Sequence, residues 1–321
     1  MKVLITDNTH PILQEKLENA GIVVTVDYNT NYNQLLSIID NYDGLVVRSK
    51  IVIDSDFIAQ CHRLKCIGRV GAGMDTIDVE SAERKGIRCL NSPEGNCDAV
   101  GEHTLGLLLA LFNKIASANM DVRKGLWQRE ANRGIEIKGK TIGIIGFGNM
   151  GGAFAKRLAG FDCHVLAYDI LGSQASGFSL HLPYVENVSL NTLQANADVV
   201  SLHVPLTPST QYLVDSQFLN TFAKPIFLLN TSRGAVVNTC DLVTALQSQQ
   251  VLGAALDVIE YENMANDGLS IDHLPNDFRY LLQCANTIVT PHVAGWTIES
   301  KYKLAAVLAD KIINCLKTDP Q

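Results

Sequence analysis

Three short segments of the 321-residue sequence each end a predicted strand with a side chain suited to proton or anion chemistry. They are Asn230-Thr231-Ser232-Arg233-Gly234, Leu256-Asp257-Val258-Ile259-Glu260-Tyr261-Glu262 and Thr290-Pro291-His292-Val293-Ala294-Gly295. An arginine offers a planar, permanently charged fork that grips a carboxylate and polarises a ketone oxygen. A histidine gives or takes a hydroxyl proton near neutral pH, and a carboxylate beside it keeps the imidazole charged. Those are the three needs of interconverting a 2-hydroxy acid and a 2-keto acid. Taken singly, each residue has a plainer explanation, Arg233 as a loop contact and His292 as a satisfied polar group. In one series they favour the chemical explanation. His103 and His203 lack such company and are read as structural or cofactor-lining.

A fourth segment, Gly146-Phe147-Gly148-Asn149-Met150-Gly151, follows the apolar run 141–145 and opens a helix bearing Phe154, Leu158 and Phe161. Alone, this glycine spacing is weak evidence. Between a strand and a helix it predicts a dinucleotide-binding turn. Gly146 permits the tight turn, Gly148 lets the backbone approach a pyrophosphate, and Gly151 lets helix and strand pack closely. The free N–H groups at the start of the helix attract the phosphates. Asp169 stands eighteen residues past Gly151, where a carboxylate accepts hydrogen bonds from ribose hydroxyls and repels a 2′-phosphate. No Lys or Arg occurs between 170 and 185, so NAD is favoured over NADP.

Strand and helix patterns must position these segments. From 1 to about 92, the β-branched runs 3–6, 22–26, 44–48, 65–70 and 88–90 alternate with helical stretches at 11–20, 33–39, 55–62 and 79–85. A long helix is expected over 98–123, with an apolar face of Leu105, Leu108, Leu109 and Phe112, ending at Gly125. A face so apolar must be covered by a neighbouring domain or a second subunit. A second series follows, with strands at 141–145, 163–168, 199–204, 226–230, 254–258 and 287–290, and a last helix at 298–316 that returns to the first domain. The expected fold is α/β, with two doubly wound parallel-sheet domains and a cleft between them. One domain comprises 1–97 plus 293–321, the other 98–292.

The bulk numbers agree with a packed globular protein: 47% of residues are hydrophobic and 18% charged. The net charge of −7 speaks against a nucleic-acid partner. The eight cysteines form no CxxC pair, which reads as buried, reduced thiols rather than a zinc site or disulfide framework. The first residues run straight into a strand, so no signal peptide is expected, and the most apolar stretch, 105–112, is far short of a membrane span. No metal or membrane partner is expected, and the expected location is the cytoplasm.

Nearly end to end, the chain resembles the D-isomer-specific 2-hydroxyacid dehydrogenases, a family that includes phosphoglycerate dehydrogenase, hydroxypyruvate and glyoxylate reductases, D-lactate dehydrogenase and formate dehydrogenase. The resemblance runs through Val46-Val47-Arg48-Ser49, Gly68-Arg69-Val70-Gly71-Ala72-Gly73-Met74-Asp75 and Glu102-His103-Thr104. It continues through Gly139-Lys140-Thr141-Ile142-Gly143 and His203-Val204-Pro205-Leu206-Thr207 to the three segments above. The resemblance implies a flavodoxin-like substrate domain, a Rossmann NAD-binding domain and a homodimer formed through the 98–123 helix. It also implies that Arg233 binds the substrate carboxylate and ketone oxygen, that His292 is the general acid/base, and that Glu262 fixes its tautomer and raises its pKa. Asp257 would contact the nicotinamide carboxamide. Gly146, Gly148, Asn149, Met150, Gly151, Asp169, His203, Pro205 and Thr207 would line the cofactor. The amides of Val70, Gly71, Ala72 and Gly73 would cup the substrate carboxylate. Arg48 and Arg69, at strand ends, are candidates for a second anionic group.

The sequence departs from the family at Asn263, where proline is usual, and in the long stretch 264–285, and from the phosphoglycerate dehydrogenases at Trp296, where they commonly have small residues. The stretch is expected to alter the approach of Glu262 or to form a rim, and the indole to narrow the pocket. Glu262 argues against a formate dehydrogenase, in which glutamine stands there. No C-terminal regulatory domain, and hence no serine feedback, is expected. The favoured substrate pair is 3-phosphoglycerate and phosphohydroxypyruvate. The alternatives are a hydroxypyruvate/glyoxylate reductase and an NAD-sensing, corepressor-like regulator.

Overall fold

The computed structural model describes residues 1–262 and 274–317. The chain divides into two compact units, Met1–Cys97 with Trp296–Gln321, and Asp98–Gly295. Each is a wholly parallel sheet with helices on both faces.

In the first unit the strands are β1 (Lys2–Ile5), β2 (Val23–Val26), β3 (Gly44–Val47), β4 (Cys66–Arg69) and β5 (Arg88–Leu90), in the order β2-β1-β3-β4-β5. This is the flavodoxin-like winding. All four residues of β3 are buried, as a central strand covered on both faces requires. On one face, Leu35, Ile39, Phe57 and Ile58 pack onto Leu45 and Ile67. On the other, Leu13 and Leu17 meet Leu304, Leu308 and Ile312 of the helix Ile298–Lys317 over Val3 and Val46. The return of the last helix to the first unit is thus observed. A Cβ on Gly95 would stand 2.5 Å from the Leu304 nitrogen, so only glycine lets the helix seat there.

In the second unit β6 (Thr141–Ile145), β7 (His164–Tyr168), β8 (Val185–Asn187), β9 (Val199–Leu202), β10 (Ile226–Asn230), β11 (Val251–Leu256) and β12 (Thr287–Val289) lie in the order β12-β11-β10-β9-β6-β7-β8. This is a Rossmann sheet with a seventh strand. The register aligns Ile145 with Leu202, Leu202 with Asn230, Asn230 with Leu256, and Leu256 with Val289. The loops that begin at Gly146, His203, Thr231, Asp257 and Thr290 therefore leave one edge of the sheet, at one level.

Two expectations need correction. The helix expected over 98–123 is two helices, Cys97–Phe112 and Ile115–Arg123, bent by 60°. The break falls where Lys114 adopts φ 50°, a left-handed conformation that ends helical hydrogen bonding. The apolar face of the first helix is covered within its own unit: Leu107, Leu108, Leu111 and Phe112 pack on Ile142 and Ile144. The stretch 264–285, expected to alter the approach of Glu262 or to form a rim, lies in part outside the described residues. Its described part forms the helix Asn276–Gln283, whose Phe278 and Leu281 are buried in the core beside β10 and β11. Asn263 and residues 264–273 lie outside the described residues. Of the cysteines, Cys61, Cys66 and Cys315 are buried, whereas Cys240 is exposed. Among the described residues no single helix is long and apolar enough to cross a membrane.

Candidate active site

The edge of the second sheet brings Arg233, Asp257, Glu262 and His292 together. Arg233 follows β10, and the next residue explains how its loop lies. A Cβ on Gly234 would fall 2.0 Å from the carbonyl carbon of Ile259 and 2.6 Å from the Glu260 nitrogen. Gly234 thus lets the arginine loop rest directly on the backbone that leads to Glu262. Asn230 braces the loop, donating from Nδ2 to the Arg233 carbonyl at 2.9 Å and accepting from the Ser232 amide at 3.0 Å.

Glu262 faces His292, with Oε2 2.8 Å from Nδ1. Its other oxygen accepts from the Ile259 amide at 3.2 Å, which fixes the carboxylate plane. The pairing leaves Nε2 as the ring nitrogen available for proton exchange. The hydrogen bond to Glu262 raises the His292 pKa above its usual value, against the opposing effects of burial and the nearby Arg233 charge. Glu260, two residues earlier, is engaged elsewhere, accepting from the Tyr212 hydroxyl and from Thr239.

Asp257 is fully buried and holds the turn that presents His292. Its Oδ1 accepts from the Thr290 hydroxyl at 2.5 Å and the Val293 amide at 3.0 Å, and its Oδ2 from the Ala294 amide at 2.8 Å. His103 Nε2 lies 3.1 Å from the Thr290 hydroxyl and 3.4 Å from Asp257 Oδ1. Burial works to raise the Asp257 pKa, but the hydrogen bonds from His103, Thr290 and the two amides outweigh it and lower the value. His103, read from sequence as structural or cofactor-lining, is a strut of this turn.

At the glycine-rich turn, a Cβ on Gly146 would stand 2.6 Å from the His203 carbonyl oxygen, and one on Gly151 2.2 Å from the Gly146 oxygen. A Cβ on Gly148 would meet only Ser176 Oγ, at 3.8 Å. Two glycines are therefore required by packing, whereas the third keeps a surface open ahead of the helix Asn149–Arg157, which begins with Asn149 and Met150. That opening suits a pyrophosphate. Asp169 follows β7, and its Oδ2 accepts from the Phe147 amide at 2.7 Å, tying this carboxylate to the glycine-rich turn. A carboxylate retains acceptor capacity after that bond, so the residues present fit NAD.

The His203 side chain turns inward, with Nε2 2.8 Å from Ser201 Oγ and its ring against Phe154. Burial pushes its pKa down to about 3, so the ring stays neutral. Beyond it, Pro205 is exposed, and the Thr210 hydroxyl closes the loop, donating to the Pro205 carbonyl at 2.6 Å and accepting from the Thr207 amide at 2.8 Å. Thr210 was not singled out in the sequence, because a lone hydroxyl three residues past Thr207 carries no pattern.

In the first unit, Arg48, Arg69 and the turn Val70-Gly71-Ala72-Gly73 share the carboxyl edge of β3 and β4. Arg69 Nε donates to the Arg48 carbonyl at 3.2 Å, and its guanidinium lies over Gly71, where a Cβ would be 2.0 Å from Nη1. The turn is braced by Asn91, whose Nδ2 donates to the Ala72 carbonyl at 2.6 Å, and by the Ser92 amide, which donates to the Gly71 carbonyl at 2.9 Å. Asn96, soon after, has a buried Oδ1 with no hydrogen-bond partner. Such an atom is a candidate ligand contact that sequence reasoning missed. Lys50 is a structural tie, donating to the Tyr28 and Thr30 carbonyls.

Residues 105–294 match the model of the D-isomer specific 2-hydroxyacid dehydrogenase, NAD binding domain. The chain belongs to that family, and its second unit carries the NAD-binding domain. It is 34% identical to D-3-phosphoglycerate dehydrogenase of Archaeoglobus fulgidus over 323 residues, which is 100% of this chain and 58% of that protein. It is 36% identical to hydroxypyruvate reductase of Thermotoga maritima over 87% of each chain. Among solved structures, D-lactate dehydrogenase from Aquifex aeolicus, complexed with NAD and lactic acid, superposes with a TM-score of 0.82. That match has 25% identity and covers 99% of this chain and 96% of the other. The chain thus spans little more than half the length of the phosphoglycerate dehydrogenase it matches.

Proposed function

We propose that this chain catalyses NAD-dependent, reversible oxidation of a D-2-hydroxy acid to its 2-keto acid, with 3-phosphoglycerate and phosphohydroxypyruvate as the pair. The observation that carries the proposal is the His292–Glu262 pair at 2.8 Å on the edge that also bears Arg233. Arg233 grips the substrate carboxylate and the ketone oxygen, and the amides of Val70, Gly71, Ala72 and Gly73 on the first unit's sheet edge are assigned to carboxylate binding. In oxidation, Nε2 of His292 takes the hydroxyl proton. In reduction it returns that proton to the developing alkoxide. Glu262 holds the imidazole in one orientation and stabilises its charged form. NAD, held by the Gly146–Gly151 turn and Asp169, supplies the hydride acceptor. Asp257 acts through the His292 turn as a positioning residue, with its assignment to the nicotinamide carboxamide kept as part of the proposal.

The phosphorylated substrate is favoured by similarity to phosphoglycerate dehydrogenases across the chain and by Arg48 and Arg69 at the substrate-side strand ends. Hydroxypyruvate and glyoxylate form a second reading, favoured by the Thermotoga relative, whose own length is matched more fully. NADH consumption with phosphohydroxypyruvate, hydroxypyruvate, glyoxylate, pyruvate and 2-ketoglutarate ranks them. A kcat/KM for phosphohydroxypyruvate at least tenfold above the rest supports the first assignment, and hydroxypyruvate or glyoxylate in the lead replaces it.

We further propose a homodimer. Ile115 and Val122, seven residues apart on one side of the helix Ile115–Arg123, are each about half exposed, an apolar patch that a second copy would cover. Sedimentation should give twice the chain mass, and a monomer at micromolar concentration would remove the proposal. The scattered thiols suit a reducing compartment, the cytoplasm.

A further inference from the structure

Trp296 is a bulky residue four positions after His292, and its surroundings give that bulk a purpose. The indole is 68% exposed. The Arg48 guanidinium lies over it, with Cζ 4.6 Å from the ring centroid. Both residues belong to the first unit. Their backbones are fixed independently of the stack. The Arg48 amide donates to Asp7 Oδ2 at 2.7 Å, and its carbonyl accepts from Arg69. Directly after Trp296, Thr297 and Ser300 exchange hydrogen bonds, the Thr297 amide to Ser300 Oγ at 2.9 Å and the Ser300 amide to Thr297 Oγ1 at 3.0 Å.

Asp7 takes the Arg48 amide rather than its guanidinium, and no carboxylate is seen against that guanidinium among the described residues. A cation resting on an aromatic face spends only its own face in the contact. The N–H donors lie in the guanidinium plane and point outward from its edge, where they can form a fork for an anion. Arg48 is thereby a charged group held in place without a counter-ion, on the sheet edge that also bears the Val70–Gly73 turn.

We propose that Trp296 is a specificity-determining residue: its indole presets Arg48 as the receptor for a second anionic group on the substrate. The chemical class selected is a 2-hydroxy or 2-keto acid carrying a phosphate or a second carboxylate beyond C2. Singly charged acids gain nothing from the platform. This inference rests on the dehydrogenase activity proposed above and adds what that activity prefers.

The test compares wild type, Trp296→Ala and Trp296→Phe. Steady-state kinetics use phosphohydroxypyruvate and 2-ketoglutarate as doubly charged acids and pyruvate and glyoxylate as singly charged ones. Trp296→Ala should raise KM for the doubly charged acids that are turned over by about three- to fivefold, the value of an exposed cation–π contact. It should leave kcat, and KM for singly charged acids, within about twofold. Trp296→Phe, which keeps an aromatic face, should recover most of the loss. In parallel, tryptophan emission is titrated with 3-phosphoglycerate, which reads binding without turnover. Wild type should show a saturable change that Trp296→Phe lacks. Equal KM changes for both classes, in a chain that still turns over keto acids, overturn the inference and leave the dehydrogenase proposal standing. Absence of turnover with every acid counts against the dehydrogenase proposal. The emission titration then decides alone, and no Trp296-dependent change at saturating 3-phosphoglycerate overturns the inference.

Discussion

His292 adopts φ 53°, a conformation that a residue with a Cβ takes only when its surroundings impose it. Here the imposition is visible: the His292 amide donates to the Asp257 carbonyl at 2.8 Å, while the Asp257 carboxylate holds the next two amides. Replacing Asp257 by Asn puts an amide group opposite those N–H donors and leaves one unsatisfied. A loss of about 1–3 kcal/mol in unfolding free energy is expected, read from the denaturant midpoint. The same change removes a negative charge that raises the His292 pKa, so the pH profile for oxidation should move to lower pH. Unchanged midpoint and profile together would contradict the positioning role. Glu262→Gln tests the larger contribution. A raised pKa means that the imidazolium needed for reduction persists to higher pH, and that the neutral imidazole needed for oxidation likewise appears only at higher pH. Without the carboxylate, both limbs should shift to lower pH. Profiles in the two directions that coincide with wild type would show that Glu262 does not set the titration.

Elements deliver these residues through register and close approach. Five strand ends at one level explain why segments spread over some 150 residues converge, and Gly234 brings two of them into backbone contact. Gly234→Ala should part the Arg233 loop from the Ile259–Glu260 backbone and cost on the order of 10²-fold in kcat/KM, with a much smaller change in thermal stability. Activity within a factor of two of wild type would show that the loop has room to give. Much of this was legible in the sequence. Eleven of the twelve strands among the described residues coincide with runs marked in the sequence, most plainly β3, β6 and β9, whose near-complete burial leaves continuous apolar patterns. The missed strand, β8, is Val-Glu-Asn on the sheet margin, with two of its three residues exposed, and so writes almost no hydrophobic signal. The bend at Lys114 was invisible for another reason: no Pro or Gly marks it, and tertiary packing sets the left-handed φ. The catalytic candidates were read from their side-chain chemistry and His103 as structural or cofactor-lining, whereas the struts Asn91 and Thr210 were not singled out, since their roles depend on contacts the sequence does not display.

At the scale of the whole molecule, two doubly wound sheets each collect charged groups and glycine turns at one carboxyl edge, where open α/β sheets take ligands. The first unit contributes the edge of Arg48, Arg69 and the Val70–Gly73 turn, proposed above to bind anions. The second contributes the dinucleotide turn and the proton-transfer pair. Such a division suits a reaction in which one partner is a nucleotide and the other a small acid, with the proton proposed to pass through His292. The most direct test is NADH consumption at saturating keto acid by wild type and by His292→Gln, with NADH binding to both proteins measured by fluorescence. The expected result is a loss of about 10²–10⁴-fold in kcat with NADH affinity unchanged within about threefold. Turnover by His292→Gln within a factor of ten of wild type, or NADH binding without turnover of any 2-keto acid in either protein, would contradict the assignment.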